Sequence, residues 1–433
     1  MLPDSAEVLP SGHLAVGGCD LVDLVQQHGT PLYVYDEATI LARARAYRDG
    51  LRAAYPGDSL VCYASKAYSA RWLLQLLAAE GLGLDVVSGG ELHVARSAGF
   101  PMERTYFHGN NKGEDELAEA VSAGISRVVI DNLEEVERLN RICGGLDRVQ
   151  PVLLRLTPGV EPHTHEYIRT GAVDTKFGMA IQTGAAEEAV RRIQAAPNLA
   201  LVGYHAHIGS QIFDLEPFQE SARRVMQFAA DMLARQGVKP REISPGGGFG
   251  MRYTPADDPR TPGDVVGALA EAVLDAAETL LPGEPLPRMT IEPGRSLVAT
   301  AGVALYTVGS IKHIHGVRTY VAVDGGMADN IRPATYGAEY SSLLANRAGE
   351  APATTVTIAG KYCESGDILV REAHLPAPRV GDVVALPASG AYNLAMASHY
   401  NMALKPAVVA IRDGQARLVR RRDTYDDLLR AEV

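Results

Sequence analysis

The sequence predicts an α/β chain: a (β/α)8 barrel joined to a second, mainly β domain. Between residues 59 and 295, short apolar or β-branched runs alternate with helix-like stretches. The runs end in small or polar residues, eight times in order: Ser65-Lys66, Val87-Ser88-Gly89-Gly90, His108-Gly109-Asn110-Asn111, Asp131-Asn132, Arg155-Leu156-Thr157-Pro158, His207-Ile208-Gly209-Ser210, Pro245-Gly246-Gly247-Gly248 and Glu292-Pro293-Gly294-Arg295. After Arg295 the alternation stops, and strand-like runs follow one another across turns.

The intervening stretches 70–79, 113–123, 133–142 and 217–236 place apolar residues at helical spacing. Eight strand–helix units with chemically capable residues at the strand C-termini is the pattern of a TIM-type barrel. A doubly wound open sheet is the competitor, but no GxGxxG fingerprint opens the first unit. Beyond Arg295, residues 303–308, 319–324, 354–359, 382–387, 407–412 and 416–420 read as strands. The N-terminal stretch joins them, because the barrel begins only after Asp36. The predicted division is therefore 36–297 for the barrel and 1–35 with 298–433 for the β domain.

A formal net charge of -11 argues against nucleic acid or an anionic membrane as the main partner. No apolar run reaches the ~20 residues that span a bilayer. The start, Met1-Leu2-Pro3-Asp4, lacks the basic and apolar regions of a secretion signal, so a cytoplasmic location is expected. The four cysteines, Cys19, Cys62, Cys143 and Cys363, form no CxxC pair, which fits a reduced protein without a zinc site.

Lys66 carries the most chemical information. Lysine is scarce in this chain, and this one stands where an apolar run ends. An amine buried there loses its proton more readily and attacks aldehydes, the chemistry by which lysine holds pyridoxal phosphate. A surface lysine is the plain alternative. Gly246-Gly247-Gly248-Phe249-Gly250 follows the seventh run, where barrels commonly hold phosphate on backbone N–H groups; a tight turn is the alternative. Glu292 would face a cationic pyridinium nitrogen, and Arg295 a substrate carboxylate, unless the two simply pair with each other. His207 could stack on a flat ring. His205 and His207 together invite a metal, but no nearby carboxylate or thiol completes a ligand set, so none is expected. Arg332, four residues before Tyr336, could share one carboxylate with it. Cys363 beside Glu364 could donate a proton. Ser389-Gly390-Ala391-Tyr392 presents a phenol from a glycine turn.

Taken in order, these segments resemble the pyridoxal-phosphate-dependent decarboxylases of the alanine-racemase-like fold, and within them the diaminopimelate decarboxylase family. The resemblance runs from Gly29-Thr30-Pro31 to Tyr400-Asn401 and includes Tyr63-Ala64-Ser65-Lys66, Ser88-Gly89-Gly90-Glu91, Gly109-Asn110-Asn111-Lys112, Lys176-Phe177-Gly178 and Cys363-Glu364-Ser365 with Asp367. It implies decarboxylation of meso-2,6-diaminopimelate to L-lysine and CO2, the last step of lysine biosynthesis. Lys66, His207, Glu292 and Cys363 would be catalytic. Asp85, Ser210, Gly247, Gly248, Gly294, Arg295 and Tyr392 would join Lys66, His207 and Glu292 around the cofactor. Arg295, Arg332, Tyr336, Glu364 and Tyr392 would bind substrate. Cys363 and Glu364 would come from the neighbouring subunit of a homodimer, the β domain completing the active site. Relatives acting on ornithine, arginine or carboxynorspermidine, and a racemase, are the alternatives. Phe249, Asn393 and His399 depart from the family's pattern.

Overall fold

The structure is a computed structural model and describes residues 1–160 and 175–433. The chain divides into two compact units. One comprises Arg43–Met251 and Pro259–Gly294; the other comprises Met1–Ala42, Arg252–Asp258 and Arg295–Val433.

The first unit is a closed barrel of eight parallel strands: β1 (Ser59–Ala64), β2 (Gly83–Val86), β3 (Thr105–Phe107), β4 (Arg127–Ile130), β5 (Gln150–Thr157), β6 (Leu199–Ala206), β7 (Glu242–Gly246) and β8 (Arg288–Ile291). Each strand pairs with the next, and β8 returns to β1 with Met289 opposite Ser59 and Ile291 opposite Val61. The predicted class is the observed one. All eight predicted run ends fall at strand C-termini because strands buried on both faces read as continuous apolar runs, such as Val128-Val129-Ile130. The helices follow the predicted spacing: Arg71–Ala79, Glu114–Ser122, Leu133–Gly145 and Glu216–Gln236.

Side chains fill the barrel. Cys62, Tyr106, Val129 and Leu153 form a buried cluster. At the strand N-termini the buried Glu242 accepts from Tyr106 Oη at 2.7 Å, Arg127 Nε at 2.8 Å and Thr290 Oγ1 at 3.0 Å. That end is polar but saturated, so it supports the fold rather than chemistry. Phe249, an unusual residue after the glycines, is buried against Tyr47 and Phe218 at ring distances of 5.8 and 5.2 Å.

The second unit is built on one long strand, Gly302–Ile314. It pairs antiparallel with Leu32–Asp36, Val383–Leu386 and Arg318–Val323. Leu32–Asp36 also pairs in parallel with Ala407–Arg412, which is how the N-terminal stretch enters this unit. Leu32, Val34, Val303, Leu305, Val409 and Ile411 are part of its core. The strand Ile368–Leu375, beside Thr354–Ala359, was not predicted. Arg371 and Glu372 are exposed next to each other, and a register shift breaks the alternation that marks a half-buried strand.

One buried ion pair braces the barrel rim. Lys112 Nζ donates to Glu135 Oε1 at 2.5 Å and to the carbonyls of Gly109 and Val129, both at 2.8 Å. Lys112→Ala would strand the Glu135 charge in the interior. The expected cost is about 3–5 kcal/mol of stability, read from the shift in denaturant midpoint.

Candidate active site

The C-terminal ends of the barrel strands gather a second polar cluster, and this one is not saturated. Glu292 follows β8 and is buried. Its Oε2 lies 3.0 Å from His205 Nε2, and its Oε1 accepts from Ser244 Oγ at 2.8 Å. His108 Nε2 sits 3.6 Å from Glu292 Oε1 and 3.7 Å from Asp85 Oδ1, too long for hydrogen bonds. His108 Nε2 and Asp85 Oδ1 are buried without a hydrogen-bond partner among the described residues. Orphaned polar atoms at strand ends point to a site that binds something polar.

Charge in this cluster is strongly coupled. Burial pushes the Glu292 carboxyl up, but the His205 and His108 rings and the hydrogen bonds from His205 and Ser244 outweigh it. The carboxyl is held well below its usual range. Asp85 goes the other way, pushed up to about 8 by burial and by Glu292, against the pull of Lys66. Burial holds His108 and His207 well below the ordinary imidazole range, and Lys66 adds to this in both.

Lys66 stands in a 3-10 turn, Ser65–Ala67, that ends β1. The expected burial of its amine is not found: Lys66 is exposed, between buried Ser65 and Ala67. The turn breaks the strand after Ala64, so the side chain leaves the packed interior. Its charge still acts on Asp85, His108 and His207, which places it at the same rim.

The loop after β7 is shaped by its glycines. A Cβ on Gly247 would collide with Glu292 O, and one on Gly248, at φ +102°, with Gly209 O. Gly247 N–H donates to His207 Nδ1 at 3.3 Å, and Gly248 O accepts from Ile212 N–H at 3.1 Å. Ser210 is half-buried just beyond Gly209, and a Cβ on Gly294 would press on Ala64. The pinned, Cβ-free turn is a cradle into which an anion could be drawn by backbone N–H groups.

Sequence reading missed His108, Arg155 and Ser244. The first two stand at predicted run ends, the signal that could have found them. Arg155 is buried, lies 3.7 Å from Asp131 Oδ1 and stacks on Phe177 with 4.4 Å between guanidinium and ring centre. His205 does have a carboxylate beside it, Glu292, brought there by strand order; His108, His205 and Glu292 hold donor atoms within 4.8 Å of one another. His207 is turned instead toward Gly247.

In the second unit, Arg295 and Arg332 are buried among phenols. Arg295 Nη1 donates to Tyr253 Oη at 2.7 Å, and its guanidinium lies 4.7 Å from the Tyr392 ring centre. Tyr392 holds φ +63°, an uncommon backbone for an aromatic residue and one often kept at working sites. The phenol on Arg332 is Tyr340, at 2.5 Å, rather than Tyr336; among the described residues no hydrogen bond joins Arg332 to the half-buried Tyr336. Tyr340 in turn donates to the buried Asn393 Oδ1 at 3.1 Å, which gives that unusual residue a task.

Cys363 and Glu364 lie in an exposed loop. Buried Asp367 braces it by accepting from Tyr362 N–H at 2.8 Å and Met327 N–H at 2.7 Å. Among the described residues no hydrogen bond or ion pair joins Cys363 or Glu364 to Arg332.

An eight-stranded barrel with a lysine after β1, a glycine cradle after β7 and a carboxylate after β8 is the frame of a pyridoxal-dependent decarboxylase. The model of that family's pyridoxal binding domain matches residues 37–299. The chain is 46% identical over 422 residues to diaminopimelate decarboxylase of Bacillus subtilis, covering 98% of this chain and 95% of that one. The Mycobacterium tuberculosis enzyme of the same name is 45% identical over 431 residues, with 98% and 95% covered. A crystal structure of diaminopimelate decarboxylase from M. jannaschii with L-lysine superposes with a TM-score of 0.93 at 34% identity, covering 100% and 99% of the two chains. The chain belongs to the diaminopimelate decarboxylase family.

Gly248→Ala would force a side chain into the left-handed region and against Gly209 O. Affinity for pyridoxal phosphate, titrated by absorbance into cofactor-free protein, should fall at least about tenfold. Undiminished affinity would take the glycine turn out of the cofactor site.

Proposed function

We propose that the chain decarboxylates meso-2,6-diaminopimelate to L-lysine and CO2, using pyridoxal 5'-phosphate, as the last step of lysine biosynthesis. The observation that carries this reading is the likeness to diaminopimelate decarboxylases over 98% of the chain. The barrel rim fits the cofactor: a Cβ-free cradle, a lysine whose charge reaches the rim, and a buried carboxylate held ionised.

The cofactor, when bound, supplies an aldehyde that condenses with an amine and a ring that takes up electrons as a carboxylate leaves. Lys66 is the amine that would hold it. Glu292 keeps a proton on the ring nitrogen, and His205 and Ser244 keep Glu292 charged and oriented for that task. His207 would stack on the ring. Gly247, Gly248 and the backbone at Gly294 and Arg295 would hold the phosphate, with Ser210 and Tyr392. Asp85 would join His207 around the ring.

Arg332 is a buried guanidinium whose partners are phenols, which favours a substrate that brings its own carboxylate. Diaminopimelate carries a second carboxylate–amine centre; ornithine does not. Arg295, Arg332, Tyr336 and Tyr392 bind that centre, and Glu364 reads its amine. Cys363 would be the proton donor. The exposed loop of Cys363 and Glu364 acts on the site of a second copy, so the working form is a cytoplasmic homodimer with shared sites. Residues 36–297 serve as the cofactor domain, and 1–35 with 298–433 as the β domain.

Purified protein with pyridoxal phosphate and meso-diaminopimelate should yield L-lysine and CO2 in equal amounts; an absence of lysine would overturn the substrate. Lys66→Ala should keep the fold and lose turnover, and substantial activity in the pure variant would end its covalent role. Arg332→Ala should raise KM by an amount equivalent to about 2–5 kcal/mol of binding, with kcat much less affected. Steady-state kinetics at saturating cofactor checks this.

A further inference from the structure

Tyr253 stands where the two substrate-side arginines meet, and no motif marks it in the sequence. It is 7% exposed. Its hydroxyl accepts from Arg295 Nη1 at 2.7 Å. Its ring carries the Arg332 guanidinium, 4.9 Å from the ring centre. Tyr340 meets it edge-on at 5.4 Å and takes the Arg332 Nη1–H at 2.5 Å. Ser341 Oγ donates to its carbonyl at 3.2 Å, and its own N–H donates to Asp257 Oδ2 at 2.9 Å, so the backbone is tied on both sides.

Two buried guanidiniums around one ring repel each other unless something negative or polarisable lies between them. Among the described residues no carboxylate forms an ion pair with Arg332, so the protein's own answer there is phenols. A ring face attracts a cation through its quadrupole, and a phenol oxygen accepts from a guanidinium. Tyr253 does both for both arginines: each guanidinium lies over its ring, at 5.7 and 4.9 Å, and each hydrogen-bonds its hydroxyl. Burial pushes its phenol up, but the two arginines outweigh that and hold it below the ordinary phenol range, as a hydroxyl so placed should be.

We propose that Tyr253 is a positioning residue for substrate selection: its hydroxyl and its ring together orient Arg295 and Arg332, so that both guanidiniums serve one carboxylate on the substrate's second amino-acid centre. This rests on the assignment of Arg295 and Arg332 to that carboxylate. The effect acts through the arginines, so it should appear in the binding of carboxylate-bearing ligands and not in the bond-breaking step.

Tyr253→Phe is the informative variant, because it keeps the ring over Arg332 and against Tyr340 and removes only the hydroxyl. In the cofactor-loaded enzyme, KM for meso-diaminopimelate and the inhibition constant of L-lysine should each rise about tenfold, with kcat within about twofold. Inhibition by cadaverine, the same diamine without a carboxylate, should not change. Tyr253→Leu, which removes the ring as well, should weaken L-lysine further. An unchanged L-lysine constant in Tyr253→Phe would overturn the inference, and so would equal weakening of L-lysine and cadaverine, which marks a merely structural role. Arg332→Ala, run alongside, separates the two levels. If it leaves L-lysine binding intact, the carboxylate assignment itself fails. If it weakens L-lysine while Tyr253→Phe does not, only the role of Tyr253 falls.

Discussion

Barrel closure is the constraint on which the site depends. The parallel pairing of β8 with β1 seals the sheet, with Ile291 opposite Val61 and Ala64 N–H donating to Pro293 O at 3.2 Å. Once closed, a parallel barrel sends every strand C-terminus to one rim. Asp85, His108, Arg155, His205, Ser244 and Glu292 come from six different strands and become neighbours for that reason alone. The opposite end receives Glu242, with each carboxylate oxygen bonded. One carboxylate supports the fold, the other is kept available, and the difference lies in which end of a strand each occupies.

The rim stores electrostatic tension. Glu292 takes two hydrogen bonds and stays charged, while Asp85, close by and equally buried, is pushed toward its neutral form. Two carboxylates in one low-dielectric pocket do not ionise alike, and the His205 and His108 rings, with the hydrogen bonds, favour the charge on Glu292. His108 lies between the two without bonding to either. A pocket arranged this way favours a ligand that brings positive charge to Glu292. The pyridinium ring of the family's cofactor has that chemistry.

The second unit solves a different problem, that of holding buried cations among phenols. It uses phenols, in the sequence Arg295, Tyr253, Arg332, Tyr340 and Asn393. Hydroxyls and ring faces steady a guanidinium without neutralising it, so its charge is kept for a ligand. The left-handed backbone at Tyr392 and the Asp367 brace under the Cys363 loop show the same unit giving up local ease to fix particular side chains.

Much was legible from the chain alone. The eight strand ends were readable because buried parallel strands make unbroken apolar runs that stop at polar residues. Lys66, the glycine loop and Glu292 stood at those stops, so local pattern was enough to pick them out. Arg155 and His108 stood there too and were passed over only because nothing local separates a working polar residue from a plain one. Tertiary structure decided the rest, because it depends on neighbours far apart in sequence. Glu292 finds His205 across 87 positions, and Tyr253 meets Arg295 across 42 and Tyr340 from outside any motif. It also decided that Lys66 is exposed and that Arg332 turns to Tyr340 rather than Tyr336. A periodic pattern records which residues are buried and where strands end; only closure and packing determine which of those ends touch.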